Sequence, residues 1–358
     1  MRKIKMVGAL ILACMLVVVS VSGCAAQSAT EVTQSESATE ATAETSATDT
    51  TDSAQKTYKI GFAICHMNSG FIIANVDAVR ARAAEIGNVE LLEMVANSDA
   101  DVQNQQISDM ISNGCDAIII NAYDSEAIVT AINKCQSAGI PVIMDNRPAS
   151  EEASPDATVV ADNKEMAYQI MKWFIEKAQA DGKTYTCALM MGDLGDQNAV
   201  ERTEGYHQAL DEIPGVVNVV AEIPTEWDLE VALAGLQNAL QANPDINMIV
   251  VPSDGFWSAI QSALEQVDKW APIGSDNHVA VISFDGDIDG MQAMKDGYSW
   301  GDAAQDAVWE GETCVDLAVQ LASGETLESN IVLDTGIICT LSNFDETKES
   351  VWGWSGVE

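Results

Sequence analysis

Between Lys59 and Phe284 the sequence alternates short, β-rich apolar runs with longer amphipathic stretches. Nine runs have the length and composition of buried strands: Lys59–Ile64, Val89–Val95, Ala117–Ile120, Pro141–Met144, Thr158–Ala161, Thr186–Met190, Val216–Ile223, Met248–Val251 and Val279–Phe284. Helical periodicity marks the stretches between and after them, for example Phe71–Glu85, Asp101–Ser112, Ser125–Ser137, Lys164–Ala178, Ala199–Leu210, Leu229–Gln241, Trp257–Val267 and Ala307–Ala322. Repeated βα units predict an α/β protein with doubly wound parallel sheets and helices on both faces.

Length and charge narrow the classes of partner. The chain has 358 residues, which corresponds to about two domains of roughly 150 residues each. It carries 55 Asp or Glu against 17 Lys or Arg, a formal charge of −38. Nucleic acids and anionic lipid surfaces are bound through clustered Lys and Arg, so this charge argues against both. The apolar content of 47% excludes a wholly disordered chain.

Residues 1–23 have the features of an export signal. Basic residues within positions 2–5 precede an apolar run over 7–19, which is too short to span a bilayer. The sequence Val21–Cys24 then resembles a bacterial lipobox, which predicts that Cys24 is lipid-modified and becomes the mature N-terminus. The alternative is a plain secretory signal cleaved near Ala26, which would also export the protein.

A polar linker follows the predicted lipidation site. Residues 25–56 are rich in Ser, Thr, Ala and Glu, with Val32 as the single large aliphatic residue, so they cannot bury a core. A flexible coil of these 32 residues would reach roughly 30 Å. A lipid anchor on Cys24 followed by a polar linker predicts a protein that works at the outer face of the cytoplasmic membrane.

The cysteines beyond this linker are widely spaced. They are Cys65, Cys115, Cys135, Cys187, Cys314 and Cys339. Their spacing matches no zinc site, and two of them lie in apolar strand-like runs. This pattern predicts buried free thiols that act as small apolar side chains. One or two disulfides are the alternative.

Polar side chains follow the predicted strands at the points where the strands end. In open parallel sheets, groups that meet a ligand lie in the loops beyond the carboxyl ends of the strands. The segments at these positions are His66–Phe71, Asn121–Asp124, Asp145–Arg147, Gly192–Asn198 with Arg202, Glu226–Asp228, Ser253–Asp254, Asp285–Gly286 and Gln305. Two of the four arginines that follow the signal, Arg147 and Arg202, belong to this set.

Such an inventory suits a polyhydroxylated ligand. Each buried hydroxyl needs both a donor and an acceptor, and an unpaired one costs roughly 1–3 kcal/mol, so planar Asp, Asn and Arg groups are effective partners. Phe71 and Trp227 are the candidates for contact with the apolar C–H faces of a sugar ring. Core packing is the alternative for both rings. If the ligand is a sugar acid, Arg147 and Arg202 are the candidates that would bind its carboxylate.

Four segments give the sequence a resemblance to a known family. Asn97–Gln105, Gly114–Asn121, Gly139–Ile143 and Phe284–Gly286 resemble, in order and spacing, the periplasmic sugar-binding proteins of the ribose- and galactose-binding type. These proteins are the substrate-binding components of ABC importers. The resemblance covers about residues 57–340.

The resemblance implies two α/β lobes with the ligand in the cleft between them. Three crossovers would join the lobes, near Ala161, Gln305 and Asp334. The N-terminal lobe would then comprise 57–161 and 306–333, and the C-terminal lobe 162–305 and 334–358.

The resemblance also implies which residues contact the ligand. Motif by motif, these are Asn68, Ser69, Phe71, Asn146, Arg147, Asp196, Asn198, Arg202, Trp227, Ser253, Asp285 and Gln305. Most follow the galactose branch, whereas Gln305 is closer to the ribose branch. Ser69 and Ser253 are shorter than the residues usual there, and Asn68 is a substitute for the former. These departures leave hexose and pentose open.

Two candidate calcium sites are set aside. The segment Ala180–Lys183 is too short for the calcium loop of the galactose branch. The acidic series from Asp285 to Asp296 matches EF-hand spacing, but Asp285 ends a strand and Asp287–Lys295 is better interpreted as the following helix. The sequence therefore predicts neither a metal nor another cofactor.

Together these features predict a monomeric, non-enzymatic lipoprotein that binds a monosaccharide and delivers it to ABC transporter permease subunits. One alternative is a sensory subunit that passes its signal to a membrane receptor. Another is a binding protein for a different polar solute, such as a sugar acid, polyol or nucleoside. An extracellular glycosidase is the enzymatic rival, with two of Asp145, Asp196 and Asp285 as its carboxylates.

Overall fold

The computed structural model describes residues 56–357. The predicted signal peptide, the predicted lipid site Cys24 and all of the linker except Lys56 lie outside the described residues. No helix between residues 56 and 357 is long and apolar enough to cross a membrane.

The first sheet has six strands, in the order β11-β5-β4-β3-β1-β2, all parallel to their neighbours. Its strands are β1 Tyr58–Ile64, β2 Val89–Val95, β3 Ala117–Ile120, β4 Val142–Asp145, β5 Ala157–Ala161 and β11 Ile331–Asp334. The central strands are continuous apolar runs, as expected where helices cover both faces of a sheet.

The second sheet repeats this arrangement, in the order β12-β10-β9-β8-β6-β7. Its strands are β6 Tyr185–Met191, β7 Val217–Pro224, β8 Met248–Val250, β9 Ala280–Phe284, β10 Gly301–Ala304 and β12 Ile337–Thr340. The edge strand β12 pairs antiparallel with β10, whereas the other pairs are parallel.

Helices cover both faces of both sheets. They are α1 Gly70–Ile86, α2 Ala100–Ser112, α3 Val129–Ala138, α4 Asn163–Ala180, α5 Gln197–Glu212, α6 Leu229–Ala242, α7 Trp257–Gln266, α8 Ile288–Lys295, α9 Ala307–Ala322 and α10 Phe344–Thr347. In the first sheet, α1 and α9 pack on one face and α2 and α3 on the other. In the second sheet, α4 and α5 cover one face and α6 and α7 the other. The predicted α/β class with doubly wound parallel sheets is confirmed.

Three strands, β10, β11 and β12, lie outside the nine predicted runs. β10 is Gly-Asp-Ala-Ala, which lacks the β-branched residues that mark a strand, and it forms because β9 and β12 pair with it on either side. β11 is a half-exposed edge strand. Helix α3 also begins at Val129 rather than at the predicted Ser125, because the Asp124 side chain accepts hydrogen bonds from the N–H groups of Glu126 and Ala127 and holds a turn there.

The chain passes between the two sheets at three places in the described residues: between β5 and α4, between β10 and α9, and between β11 and β12. We propose that these connections form the hinge between the two predicted lobes. The lobe boundaries themselves, 57–161 with 306–333 and 162–305 with 334–358, remain a prediction.

Candidate functional site

A cavity of about 280 Å³ lies where the carboxyl ends of strands from both sheets face each other. Its volume is near the lower end of small-molecule sites, which begin at roughly 300 Å³. All twelve residues predicted to contact a ligand line this cavity: Asn68, Ser69, Phe71, Asn146, Arg147, Asp196, Asn198, Arg202, Trp227, Ser253, Asp285 and Gln305. The structure therefore brings them together, and their contact with ligand stays a prediction.

A buried ion pair crosses the cavity from one sheet to the other. Nε of Arg147, in the loop after β4, lies 3.2 Å from Oδ2 of Asp196, which precedes α5. The two side chains are 6% and 1% exposed. Asp196 also accepts a hydrogen bond from the backbone N–H of Asn198, so it caps α5 while it holds the arginine. Burial of both charges makes their separation costly.

Amide groups form a second bridge across the cavity. The Asn198 side chain donates to the backbone carbonyl of Asn146 at 3.0 Å. The Asn146 side chain in turn donates to Gln305 at 3.2 Å and to the buried Glu310 at 2.9 Å. Burial and the neighbouring Asp145 raise the pKa of Glu310 well above its usual range. The carboxyl group of Glu310, which is not among the predicted site residues, thus holds the Asn146 side chain in place.

A second buried ion pair lies within the C-terminal half of the site. Nη1 of Arg202, one turn into α5, lies 3.2 Å from Oδ1 of Asp285 at the end of β9. The Asn163 side chain accepts from Arg202 Nε at 2.7 Å, and the guanidinium lies over the Phe284 ring with its centre 3.7 Å from the ring centroid. Burial raises the pKa of Asp285, and Arg202 opposes that shift.

The hydroxyl and amide groups around Asp285 complete this part of the site. Ser253 Oγ donates to one carboxylate oxygen of Asp285, and Gln305 donates to the other at 2.7 Å. Gln305 therefore joins Asp285 to Asn146, since it also accepts from that amide. The result is one continuous polar network through both halves of the cavity.

Trp227 owes its position to the backbone around it. Glu226 and Trp227 both have φ of +53°, a region that non-glycine residues seldom adopt. A Cβ at Gly192 would collide with the Trp227 ring, so glycine at that strand end makes room for the indole. The indole Nε1 donates to Asp196 at 3.0 Å, which fixes the orientation of the ring.

For Phe71, core packing is confirmed and contact with a sugar ring stays a prediction. Phe71 is buried among the core residues of the first sheet, and it also lines the cavity. Its ring contacts Trp352 edge-on, with 6.1 Å between centroids. Phe256 is an aromatic ring that sequence reasoning missed: it lines the cavity parallel to Trp227, at 6.3 Å between centroids. It lies three residues beyond Ser253, and following that strand-end loop further along the chain would have found it.

The other lining residues outside the predicted set come from the loops already identified. They are His66, Ile72, Asp228, Leu229, Glu230 and Gly255. His66 and Asp228 lie within segments that the strand-end rule selects. The remainder belong to the first turns of α1 and α6 and to the loop before α7, just beyond those segments.

The acidic series after β9 serves the helix that follows. Asp287 accepts hydrogen bonds from the backbone N–H groups of Asp289 and Gly290 at 2.8 and 3.2 Å, which is the geometry of a helix N-cap. Within residues 56–357 no group of three or more His, Cys, Asp or Glu side chains is arranged to hold a metal ion.

The six cysteines of the described chain are free and buried. Cys65, at the end of β1, donates to the Asn121 side chain at 2.7 Å, and burial raises its pKa to about 11. The thiols therefore stay protonated and pack as apolar groups.

A family model described as a periplasmic binding protein domain matches residues 60–326.

The chain belongs to this family.

Individual proteins are similar in sequence to most of this chain. A ribose import binding protein of Bacillus subtilis is 26% identical over 77% of this chain and 86% of its own length. A xylitol-binding protein of Mycolicibacterium smegmatis is 26% identical over 82% of this chain and 80% of its own. A solved ABC transporter solute-binding protein of Bacillus halodurans, with bound myo-inositol, is 28% identical and covers 82% of this chain and 98% of its own, with a TM-score of 0.72.

The geometry of the second ion pair generates a stability prediction. Arg202→Met removes the cation that faces the buried Asp285, and we expect the free energy of unfolding to fall by about 3–5 kcal/mol, because an unpaired buried carboxylate remains. Urea denaturation monitored by circular dichroism measures this loss. Arg80→Met is the matched control, since Arg80 pairs with Glu93 at the surface with 45% of its side chain exposed, and it should cost less than about 1 kcal/mol. Equal losses in the two variants would contradict the assignment.

Proposed function

We propose that this protein is an extracytoplasmic solute-binding lipoprotein that captures a neutral monosaccharide, a hexose or a pentose, by hinge closure. It delivers the sugar to the permease subunits of an ABC importer. One observation carries the proposal: a cavity between the two sheets, lined on both sides by planar polar groups and aromatic rings. In this proposal Asp196 and Asp285 serve binding rather than catalysis, and each is paired with an arginine.

The lining supports a ligand with several hydroxyl groups. Carboxylates accept, guanidinium groups donate, and the amides of Asn146, Asn198 and Gln305 do both. A hydroxyl placed between such groups satisfies its donor and its acceptor in one plane. The rings of Phe71, Trp227 and Phe256 supply apolar faces for C–H groups.

The charge balance of the site supports a neutral ligand over a sugar acid. Arg147 and Arg202 each already face a carboxylate at 3.2 Å. Asp228 and Glu230 add further acidic groups to the lining. A ligand carboxylate would therefore displace an existing partner and meet an excess of negative charge, which raises the cost of binding.

The names of the relatives point the same way. Ribose, xylitol and myo-inositol, the compounds in the names of the three proteins compared above, are all uncharged and polyhydroxylated. This supports a polyol or sugar as the ligand without distinguishing between a pentose and a hexose.

Contacts across the cleft support hinge closure as the mechanism. Arg147 and Asn146 from one side face Asp196 and Asn198 from the other. The backbone N–H of Ser125 also donates to the carbonyl of Gly195 at 3.0 Å at the rim. A ligand that touches both sides binds the closed form better than the open form and shifts the population toward closure.

We expect a neutral sugar to raise the melting temperature of the purified protein, because a ligand that binds only the folded state stabilises it by mass action. The measurement is a thermal-shift panel of neutral hexoses and pentoses, polyols, uronic acids, nucleosides and amino acids. A uronic acid that shifts the midpoint more than its neutral parent sugar would overturn the charge argument. A response to nucleosides or amino acids alone would overturn the ligand class.

Variants of the cavity test which residues bind the sugar. Arg147→Ala and Trp227→Ala should each weaken binding by at least about tenfold, roughly 1.4 kcal/mol, since one removes the cross-cleft ion pair and the other a ring face. Isothermal titration calorimetry with the sugar selected by the panel measures the change. Arg82→Ala and Trp309→Ala, both at partly exposed positions, are the controls and should bind as the parent does. Unchanged affinity in both cavity variants would refute the site.

The lipid anchor is tested separately from binding. Cys24→Ala removes the predicted acylation site, so we expect the protein to leave the membrane fraction and to appear in the soluble extracytoplasmic fraction. Fractionation of cells followed by immunoblotting measures the distribution. Cys115→Ala, which changes a buried thiol of the folded part, should leave the protein at the membrane. Retention of the Cys24 variant would contradict the anchor.

A sensory subunit remains the second candidate function. The fold and cleft would be the same, so the partner decides between them. Co-purification of the lipidated protein with ABC permease subunits supports import, and co-purification with a membrane receptor supports sensing.

A further inference from the structure

His66 lies in the cavity wall, immediately beyond β1, and has no assigned part in ligand binding. It is 4% exposed and lines the cavity together with the predicted contact residues. Its Nε2 lies 3.5 Å from Nη2 of Arg147. A guanidinium group has donors and no acceptor, so Nε2 must be the acceptor and must carry no proton. The ring therefore fits this position in its neutral form.

The contacts of Arg147 show what that neutral ring does. The guanidinium donates to the backbone carbonyl of Ala122 at 3.3 Å, pairs with Asp196 across the cleft and faces His66 on a third side. These three directions fix the plane of the group. His66 thus helps to orient the guanidinium group of Arg147, which bridges the two halves of the site.

A protonated imidazole would place two cations side by side. Burial and the charge of Arg147 lower the pKa of His66 to about 3, and Asn68 opposes the shift. The thiol of Cys65 and the phenol of Tyr123, which also neighbour Arg147, have raised pKa values and stay neutral near pH 7. The Asp196 carboxylate faces Arg147 rather than the ring. Within residues 56–357 no carboxylate forms an ion pair with His66.

We propose that neutral His66 positions Arg147 for closure, and that protonation of His66 favours the open cleft and releases the ligand on acidification. This proposal rests on the proposed function, because it needs a ligand that binds in this cleft.

The direction of the pH effect follows from the two states. Opening the cleft lets water reach the ring and removes part of the burial that lowers its pKa, whereas Arg147, which follows a strand of the same sheet, stays beside it. The pKa in the open cleft therefore rises toward the ordinary value of about 6.5 without reaching it. In the closed cleft its pKa is lowered to about 3. Closure is therefore unopposed above pH 6.5 and is weakened as pH falls below it, by at most about tenfold between pH 7.5 and 5.5.

One group across the cleft acts in the opposite direction. Asp287 faces Gly70 of the other half, with Oδ2 3.1 Å from the position of a Cβ on that glycine. Burial and the neighbouring Asp285 raise the pKa of Asp287 to about 7. Exposure on opening would lower that pKa, so protonation of Asp287 favours closure. The pH dependence of binding in the parent protein therefore contains both effects. The part that belongs to His66 is obtained by comparing the parent with a His66 variant.

The test compares dissociation constants for D-ribose and myo-inositol at pH 7.5 and 5.5 in the parent protein, His66→Gln and His207→Gln. Glutamine keeps an acceptor near the Nε2 position and cannot titrate. We expect the ratio of the dissociation constant at pH 5.5 to that at pH 7.5 to be larger in the parent than in His66→Gln, by up to about tenfold. His207, with 41% of its side chain exposed, is the matched control and should follow the parent.

Equal ratios in the parent and in His66→Gln would overturn the proposal and leave the proposed function intact. Failure of both compounds to bind at pH 7.5, together with a silent thermal-shift panel, would overturn both. Should His66→Gln fail to fold, a nuclear magnetic resonance titration of the imidazole C–H signals in the parent protein decides instead. His66 should titrate at a higher pH without ligand than when saturated, where it should show no titration above pH 5, and identical curves would refute the proposal.

Discussion

The closed cleft depends on the buried ion pair between Arg147 and Asp196. Neither side chain could stay charged and dry alone, since an isolated ion loses several kcal/mol of hydration. Asp196 offsets that cost through three simultaneous roles: it pairs with the arginine, caps α5 and accepts from the Trp227 indole. One carboxylate therefore links the two sheets, caps a helix and orients the Trp227 ring in the cavity wall.

Backbone strain concentrates at the same strand ends. Asn146, Trp227 and Asp285 have φ of +60°, +53° and +112°, and each directs its side chain into the cavity wall. A non-glycine residue in such a region costs on the order of 1–3 kcal/mol and persists only where the surroundings determine it. At these three residues, the hydrogen bonds of the side chain hold the backbone in this conformation. The conformations are thus a consequence of placing bulky polar groups where parallel strands end.

The order of strands and helices could be predicted because buried parallel strands are continuous apolar runs, as Ala117–Ile120 shows. β10 could not, because its strand conformation comes from its neighbours and not from Gly301–Ala304 itself. Site residues such as Arg147 were predictable from their place at strand ends together with the family resemblance. Their pairing was not, since the contact with Asp196 is set by how the two sheets meet, and Phe256 escaped because an aromatic ring at a helix start usually signals core packing.

The charge of the whole chain acts in the same direction as the charges of the cavity. The formal charge is −38, and the two arginines of the cavity each face one carboxylate. An anion approaching the protein is repelled by the summed field before it reaches the cleft, within about 8 Å of the surface at physiological salt. An uncharged sugar experiences no such barrier and meets two arginines that are already paired with carboxylates. The surface charge and the pairing of Arg147 and Arg202 inside the cavity thus both oppose an anionic ligand, in agreement with the proposed function.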